Sequence, residues 1–145
     1  MLFKRPESVL VVVHTLQLDV LLLQRVSPPV GLWQSVTGSL EWQEEPLQAA
    51  RREVYEETGN VVKEDPVFTG MVNRFDIVAE SLHLYPPGTV KNTEYAFTLA
   101  LPERLAVRVN PSEHSAFIWL PAPIAAEKTG SWTNREAILR LIGWP

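Results

Sequence analysis

The chain has 145 residues and a mass of 16.4 kDa, with 46% hydrophobic and 21% charged residues. This composition is typical of a globular protein, and the length predicts a single domain over residues 1–145. The net charge of −4 gives no reason to expect nucleic-acid binding, and the absence of cysteine excludes disulfides and cysteine-bound zinc. The apolar run at residues 9–13 is too short for a signal peptide or a membrane span, so we expect a cytoplasmic protein without a membrane partner.

The first third of the chain predicts strands. Two β-branched or leucine-rich runs, residues 8–15 and 20–25, are separated by a short polar interruption, which predicts a hairpin of two central strands. A loop rich in proline follows at residues 27–31. Residues 33–37 then predict a short strand that leads into Gly38.

A helix is predicted next. Pro46 suits its first turn, because a missing N–H costs nothing there, and Glu44 and Glu45 are favourable at its positive end. Gly59 is the predicted cap after the last turn. At about 100° per residue, one apolar stripe is expected to face the sheet. It consists of Leu47, Ala50 and Val54.

The remaining chain predicts further strands and a second helix. The strand segments are residues 67–72, 94–101, 105–109 and 116–120. Residues 73–88 suggest a strand followed by a loop that faces the substrate, and residues 132–142 an amphipathic helix. The predicted architecture is an α/β fold in which a mixed sheet is covered by two helices.

Three glutamates on the first helix carry the strongest chemical signal. Glu53, Glu56 and Glu57 share one arc of the helix, and carboxylates so close together repel unless a proton or a cation lies among them. A hard cation such as Mg²⁺ binds a few carboxylates and keeps waters for a phosphate substrate. The cluster therefore predicts a metal site that acts on phosphates, the alternative being a solvated acidic helix face.

The spacing around these glutamates resembles the Nudix box of the Nudix hydrolases. Five residues separate Gly38 from Glu44, and seven more precede the run REVYEETG at residues 52–59. Only the last position departs, because Asn60 stands where the family has an aliphatic residue, and we expect Val61 to take over its packing role. The resemblance implies the α/β/α sandwich of that family.

The resemblance also implies roles for the box residues. Glu53 and Glu57 are the first-choice ligands of Mg²⁺, or of Mn²⁺ in its place, and the Gly38 carbonyl is an additional ligand. Glu56 is a further metal ligand or the general base, so these glutamates form the catalytic set together with Arg52. Arg52 and Glu44 are expected to form a charge-assisted pair that holds the loop on the helix.

Several residues outside the box are candidates for the same site. Glu113 precedes the strand at residues 116–120 and is either a further metal ligand or a solvated loop residue, while His114 is a general base or a structural histidine. A triphosphate needs compensating cations. The candidates are Lys4, Arg5, Arg25, Arg74 and Lys91. Aromatic residues that could stack on a flat ring, or belong to the core, are Trp33, Phe75 and Trp132.

Outside the box the chain resembles a narrower group within the family, the bacterial dihydroneopterin triphosphate diphosphatases. The most discriminating segments are WQSVTGS at residues 33–39 and SWTNR at residues 131–135. Residues 61–83 match least well, so no role is transferred to Arg74 or Phe75. The resemblance implies that substrate is contacted by Lys4, Arg25, Thr37 and Ser131, and that the metal is held by Glu53, Glu57 and Glu113.

The implied reaction converts 7,8-dihydroneopterin 3'-triphosphate to the monophosphate and pyrophosphate, by attack between the α and β phosphates. The partner is thus a small-molecule triphosphate, and nucleotides such as dATP are expected secondary substrates. One rival is a Nudix hydrolase of nucleoside triphosphates or dinucleoside polyphosphates. The other is a non-enzymatic ligand-binding domain, against which the complete set of box acids argues.

Overall fold

The fold is taken from a computed structural model that describes residues 2–143. The strands are β1 (Glu7–Thr15), β2 (Asp19–Arg25), β3 (Trp33–Gln34), β4 (Val36–Ser39), β5 (Val67–Asp76), β6 (Lys91–Leu101) and β7 (His114–Pro121). The helices are α1 (Pro46–Thr58), α2 (Ala122–Lys128) and α3 (Trp132–Leu141), with a 3₁₀ helix at Ala79–Leu84. None of the helices within residues 2–143 has the length and apolar character needed to span a bilayer.

The strands form one mixed sheet in the order β3-β2-β1-β6-β5, with β4 also paired to β1 and β7 to β2. β1 and β6 run parallel, and the other pairs are antiparallel. β1 meets β2 at His14 and Val20, near their turn, while β4 pairs with the first half of β1. The two strands predicted at residues 8–15 and 20–25 are therefore central, as expected.

Helices cover both faces of the sheet, so the α/β/α sandwich is confirmed. Alternate residues of β1 point to opposite faces. Val9, Val11 and Val13 pack with α1, and Leu10 and Val12 pack with α2 and α3. Full burial of such side chains contributes about 1.5–3 kcal/mol each. Both faces of the central strand are consequently closed to water.

Helix α1 begins and ends where the sequence predicts. Pro46 is its first residue, and a capping box joins Glu45 and Gln48 at the N-terminus. Gly59 follows the helix with φ 74° and ψ 13°, and its N–H donates to the Tyr55 carbonyl. This left-handed conformation favours glycine because it has no Cβ. The cap thereby fixes where the chain leaves the helix.

Two expectations about this part of the sandwich were wrong. Residues 105–109 are not a strand, although alternate side chains in them pack against the core. Arg108 N–H donates to the Thr58 carbonyl (2.8 Å), so this stretch is tied to the end of α1. Val61 is 86% exposed, and Val62 packs against the core instead. Alternating apolar residues mark burial of one side, which an extended loop over a core also produces.

Helix α2 was not predicted, so three α-helices cover the sheet where two were expected. It has only seven residues, with a proline in its first turn, and it buries Ala122, Ala125 and Ala126. Small side chains give a weak apolar periodicity, and the preceding prolines favour a loop. The helix exists because these alanines allow close packing beneath the sheet.

The predicted strand at residues 33–37 is split at Ser35 into β3 and β4. β3 pairs with β2, and β4 pairs with β1. Asn134 of α3 stabilises the junction between these two strands. Its Oδ1 accepts from Ser35 N–H and its Nδ2 donates to Ser35 Oγ, both at 2.8 Å. The two discriminating segments, at residues 33–39 and 131–135, are thus joined through buried hydrogen bonds.

Candidate active site

A cavity of about 630 Å³ is formed by segments that are far apart in the chain. Its walls include Lys4, Gly38 of β4, Glu53 of α1, Asn92 of β6 and Ser131 just before α3. The loop after β5 also contributes, as expected for residues 73–88, through Ile77, Val78, Ser81 and Tyr85. Charged and polar groups from both ends of the chain therefore face one space.

Most of the residues selected from the sequence line this cavity. They are Lys4, Arg25, Thr37, Gly38, Glu53, Glu57, Phe75, Glu113, His114 and Ser131.

Arg52 and Glu56 do not line the cavity and lie beside it on α1. The other cation and stacking candidates are also outside the lining: Arg5, Arg74, Lys91, Trp33 and Trp132. Lys91 pairs with Asp76 (2.7 Å), Arg5 with Glu7 (2.6 Å), and Trp132 is 58% exposed.

Glu53 and Glu57, here called the box acids, are buried side by side. They are 7% and 1% exposed. Burial raises the pKa of Glu53 to about 7, against the effects of Glu57 and Arg52, which lower the pKa. Burial also raises the pKa of Glu57, as do its hydrogen bond to Glu53 and the nearby charges of Glu53 and Glu113. Two carboxyls in this position hold a proton between them or require a cation.

The backbone at Gly38 leaves room for the box acids. A Cβ added at Gly38 would collide with the Glu53 carboxylate. The neighbouring Thr37 N–H donates a long hydrogen bond to Glu57 Oε1 (3.4 Å). The glycine of the box is therefore required for close approach of the acids to β4, and not for an unusual backbone conformation.

Arg52 binds the loop before α1 and also donates hydrogen bonds to the neighbouring acids Glu53 and Glu56. Its Nε and Nη2 donate to the two carboxylate oxygens of Glu44, each at 2.9 Å, which confirms the expected pair. Nη1 donates to Glu53 (2.6 Å) and to Glu56 (3.1 Å), and Nη2 also to the Ser39 carbonyl (2.9 Å). The pKa of Arg52 is raised, first by Glu44. This guanidinium fixes the position of Glu53 from outside the cavity.

Two cations face the box acids across the cavity. Burial lowers the pKa of Lys4, as does the charge of Arg25, while Glu53 and Glu113 raise it. Arg25 is held by Ser27 Oγ and the Pro28 carbonyl, both at 2.9 Å. Lys4 lies over the Tyr85 ring, 5.6 Å from its centroid. Two neighbouring cations repel, so this pair favours an anionic ligand.

The two predicted hydroxyl contacts have partners of their own. Thr37 Oγ1 donates to the Val9 carbonyl (2.8 Å). Ser131 is the N-cap of α3, where its Oγ accepts from Asn134 N–H (3.4 Å) and lies 2.9 Å from Thr133 Oγ1. Both oxygens retain acceptor capacity or a rotatable proton. The start of α3 adds N–H groups and the positive end of the helix dipole.

Glu113, in the loop before β7, and His114, the first residue of β7, both line the cavity. Glu113 is exposed, and its carbonyl accepts from Val26 N–H (3.0 Å), next to Arg25. Burial and the charge of Arg25 lower the pKa of His114 to about 4, so it is neutral at pH 7. Its Nε2 lies 3.8 Å from Glu57 Oε1, too far for a hydrogen bond, and no ion pair forms. Glu113 raises the pKa of Glu57 through charge alone.

Three buried polar residues that line the cavity were missed by the sequence reasoning. They are Ser8, Asn92 and Glu94. Glu94 is 5% exposed on a strand whose other buried positions are apolar apart from Asn92, and burial raises its pKa. A charged residue at an inward position of a predicted strand could have indicated Glu94 as a site residue, because a lone buried acid requires a partner.

The carboxylate oxygens of the box acids are suited to bind a hard divalent cation. These oxygens are buried, adjacent and incompletely compensated, which is the chemistry that Mg²⁺ satisfies with a few carboxylates and several waters. Among residues 2–143 no three acidic or histidine side chains are grouped closely enough to form a ligand set. A third carboxylate would have to approach the pair from Glu113 or Glu56.

Comparisons with known proteins agree with this geometry. The model of the NUDIX domain matches residues 4–141. The dihydroneopterin triphosphate diphosphatase of Escherichia coli K12 is 44% identical over 144 residues, covering 97% of this chain and 94% of that protein. The Haemophilus influenzae protein of the same name is 34% identical, covering 98% and 90%. The solved structure of the E. coli dihydroneopterin triphosphate pyrophosphohydrolase has a TM-score of 0.87 and 41% identity over 98% of both chains.

Proposed function

Because the chain belongs to the Nudix family, we propose that it hydrolyses 7,8-dihydroneopterin 3'-triphosphate to the monophosphate and pyrophosphate. One observation carries this proposal. Relatives named for that activity match 97% of the chain, and the family match over residues 4–141 contains every residue that lines the cavity. Lys4, Arg25 and Ser131, which the box does not require, line that cavity with the box acids.

The box acids are the proposed metal ligands, with Glu113 as the third carboxylate. Bound there, Mg²⁺ or Mn²⁺ would supply Lewis acidity toward phosphate oxygens and a water of lowered pKa. Arg52 holds Glu53 in place through its 2.6 Å hydrogen bond. Glu56 is 45% exposed and accepts from Arg52 through one carboxylate oxygen, so we propose it as a further ligand through its other oxygen or as a proton acceptor at the rim.

The cations of the cavity are the proposed triphosphate contacts. The charge of Arg25 contributes to lowering the pKa of Lys4, and an anionic phosphate between the two cations offsets that repulsion. Ser131 Oγ and the first N–H groups of α3 suit a second phosphate oxygen. The attacked phosphorus would then be held between these groups and the box acids, as hydrolysis between the α and β phosphates requires.

A substrate panel tests the proposal. Purified protein with Mg²⁺ is given dihydroneopterin triphosphate, dATP, dGTP and diadenosine tetraphosphate. The products are separated by chromatography, which detects pyrophosphate from the triphosphates and mononucleotides from diadenosine tetraphosphate. We expect the highest kcat/KM for the pterin, with dATP as a secondary substrate because it also joins a triphosphate to a planar ring. A pterin turned over no better than the nucleotides would assign the chain to a different Nudix substrate class. Binding without turnover of any of them would indicate a non-enzymatic domain.

A further inference from the structure

Strand β6 places two buried acceptors in the cavity that the proposed mechanism does not use. Asn92 and Glu94 are each 5% exposed, and both line the cavity. They are two residues apart on one strand, so they share a face of the sheet at a spacing of about 6.6 Å. That spacing is comparable with the length of a two-ring heterocycle.

Neither acceptor is satisfied by the described part of the chain. Glu94 Oε1 and Asn92 Oδ1 are buried atoms without a hydrogen-bond partner. The other end of the Asn92 amide is fixed, because its Nδ2 donates to Ser8 Oγ (2.8 Å). Buried polar atoms in native proteins nearly always have partners. These two therefore indicate a ligand that supplies donors.

An aromatic side chain lies beside the two acceptors. Phe75 of β5 is the direct cross-strand partner of Asn92, and it also lines the cavity. Direct partners in antiparallel strands project on the same face, with Cβ atoms about 5 Å apart. The phenyl ring thus offers an apolar surface on which a flat ring can stack.

We propose that Glu94, Asn92 and Phe75 form a ring subsite that selects a planar heterocycle presenting two adjacent donors, a ring N–H beside an exocyclic amino group. The inference rests on the proposed function, since the 2-amino-4-oxo ring of dihydroneopterin has this edge. A carboxylate accepts two neighbouring N–H groups in the same fork that it forms with arginine. A ring with oxygen in place of the 2-amino group turns a lone pair toward the carboxylate instead.

The electrostatics of Glu94 support a ligand rich in donors. Burial raises the pKa of Glu94, and nearby Thr133 and Asn73 lower it only in part. Asn73 Nδ2 is itself a buried atom without a hydrogen-bond partner, so its geometry toward Glu94 falls short of a closed bond. Donors from a ligand favour the ionised carboxylate.

The wild-type protein tests the subsite without phosphate or metal. Neopterin and its counterpart with a 2-oxo group are titrated into the chain in EDTA at pH 7.5, and binding is followed by NMR shifts. We expect the 2-oxo ring to bind at least about tenfold more weakly, because a donor is replaced by an acceptor. Equal affinities, tighter binding of the 2-oxo ring, or binding of neither would overturn the subsite.

A pair of variants assigns the preference to Glu94. Glu94→Gln keeps the shape of the side chain and adds a donor, so the preference for the 2-amino ring is expected to fall at least about tenfold. The matched control is Asp76→Asn, since Asp76 lines the same cavity but is 81% exposed and pairs with Lys91. It is expected to keep the wild-type preference. A folded Glu94→Gln protein, checked by thermal melting, that also keeps it would refute the assignment.

Failure of the ring subsite and failure of the proposed function are distinguishable. Hydrolysis of dihydroneopterin triphosphate together with equal binding of both rings refutes the subsite and leaves the function intact. Preference for the 2-amino ring without pyrophosphate release from the triphosphate supports the subsite and refutes the function. The first measurement is binding in EDTA, and the second is turnover with Mg²⁺.

Discussion

The box acids and the ring subsite are two regions of one cavity that hold buried carboxylates in different surroundings. Glu53 and Glu57 lie one helical turn apart, contact each other, and have Arg52 on one side only. Within residues 2–143 no second acid shifts the pKa of Glu94, and the neighbours that lower it, Thr133 and Asn73, are neutral. Paired acids call for a cation, whereas a lone buried acid calls for hydrogen-bond donors. The charged and polar groups around a buried carboxylate, and not its burial alone, therefore indicate which kind of ligand it binds.

Glu57→Gln is expected to have the largest effect on activity, since it removes one of the paired acids. Loss of a carboxylate ligand is expected to lower kcat for pyrophosphate release about a thousandfold, equivalent to about 4 kcal/mol of the activation free energy. Glu127→Gln on α2 removes an exposed carboxylate of the same type and should leave kcat unchanged. A Glu57→Gln protein with wild-type turnover in Mg²⁺ would remove Glu57 from the metal site.

The pH dependence of stability tests whether burial destabilises the ionised Glu53 carboxylate when no metal is bound. The folded pKa of Glu53, about 7, is above its unfolded value of 4.5, so the folded protein binds more protons between these pH values. Stability associated with Glu53 is full below pH 4.5 and is lost as the pH rises through 7. In EDTA, Glu53→Gln should therefore gain stability over wild type, reaching about 3 kcal/mol at pH 8.

Urea unfolding of both proteins at pH 4.5 and pH 8 measures this difference. His114 has a lowered pKa and contributes with the opposite sign, but it is present in both proteins and cancels. Saturating Mg²⁺ should abolish the advantage of the variant, because the cation compensates both acids of the wild type. A variant advantage that is the same at both pH values would show that Glu53 is not destabilised by its surroundings.

Buried hydrogen bonds between Ser35 and Asn134 join the β3–β4 junction to α3, and Asn134→Ala should weaken this junction. The variant leaves the buried Ser35 N–H without an acceptor, and we expect a loss of about 2 kcal/mol in the free energy of unfolding. Arg135→Ala, at the next and exposed position of α3, is the control and should change it by less than about 0.5 kcal/mol. Equal stability of the two variants would mean that the Asn134 hydrogen bonds contribute nothing net.

Loss of Arg52, which hydrogen-bonds to Glu53 from outside the cavity, should have a smaller effect than the changes above. Arg52→Ala should lower kcat/KM about tenfold and keep the fold, because Glu53 and Glu44 lose a shared partner while the metal ligands remain. The neighbouring Arg51 pairs with exposed Asp65, so Arg51→Ala should match wild type in the same assay. An Arg52→Ala enzyme as active as Arg51→Ala would disprove the positioning role.

The sequence predicts the box region because its determinants are local. Pro46 and Gly59 mark the ends of α1, and the spacing of Glu53 and Glu57 sets them on one arc whatever the rest of the chain does. The same logic fails for α2, whose alanines carry little periodicity, and for residues 105–109, where alternation arose from an extended loop over the core. Local patterns report burial, but pairing partners decide between strand and loop.

The ring subsite could not be predicted because it depends on register. Asn92 and Phe75 become neighbours only through pairing of β5 with β6, and Glu94 meets Ser8 only through the parallel pairing of β1 with β6. A shift by one residue would turn these side chains to the other face. The exposed position of Glu56 likewise depends on how α1 rotates against the sheet, which the helical spacing alone does not fix.

Steady-state kinetics on one substrate test the division between the two regions most directly. With dihydroneopterin triphosphate and Mg²⁺, kcat and KM are measured for wild type, Glu57→Gln and Glu94→Gln. We predict a large fall in kcat for Glu57→Gln, and for Glu94→Gln a KM raised about tenfold with kcat nearly unchanged. If Glu94→Gln lowered kcat at constant KM, Glu94 would not serve to bind the ring. If Glu57→Gln kept the wild-type kcat, Glu57 would not serve to hold the metal.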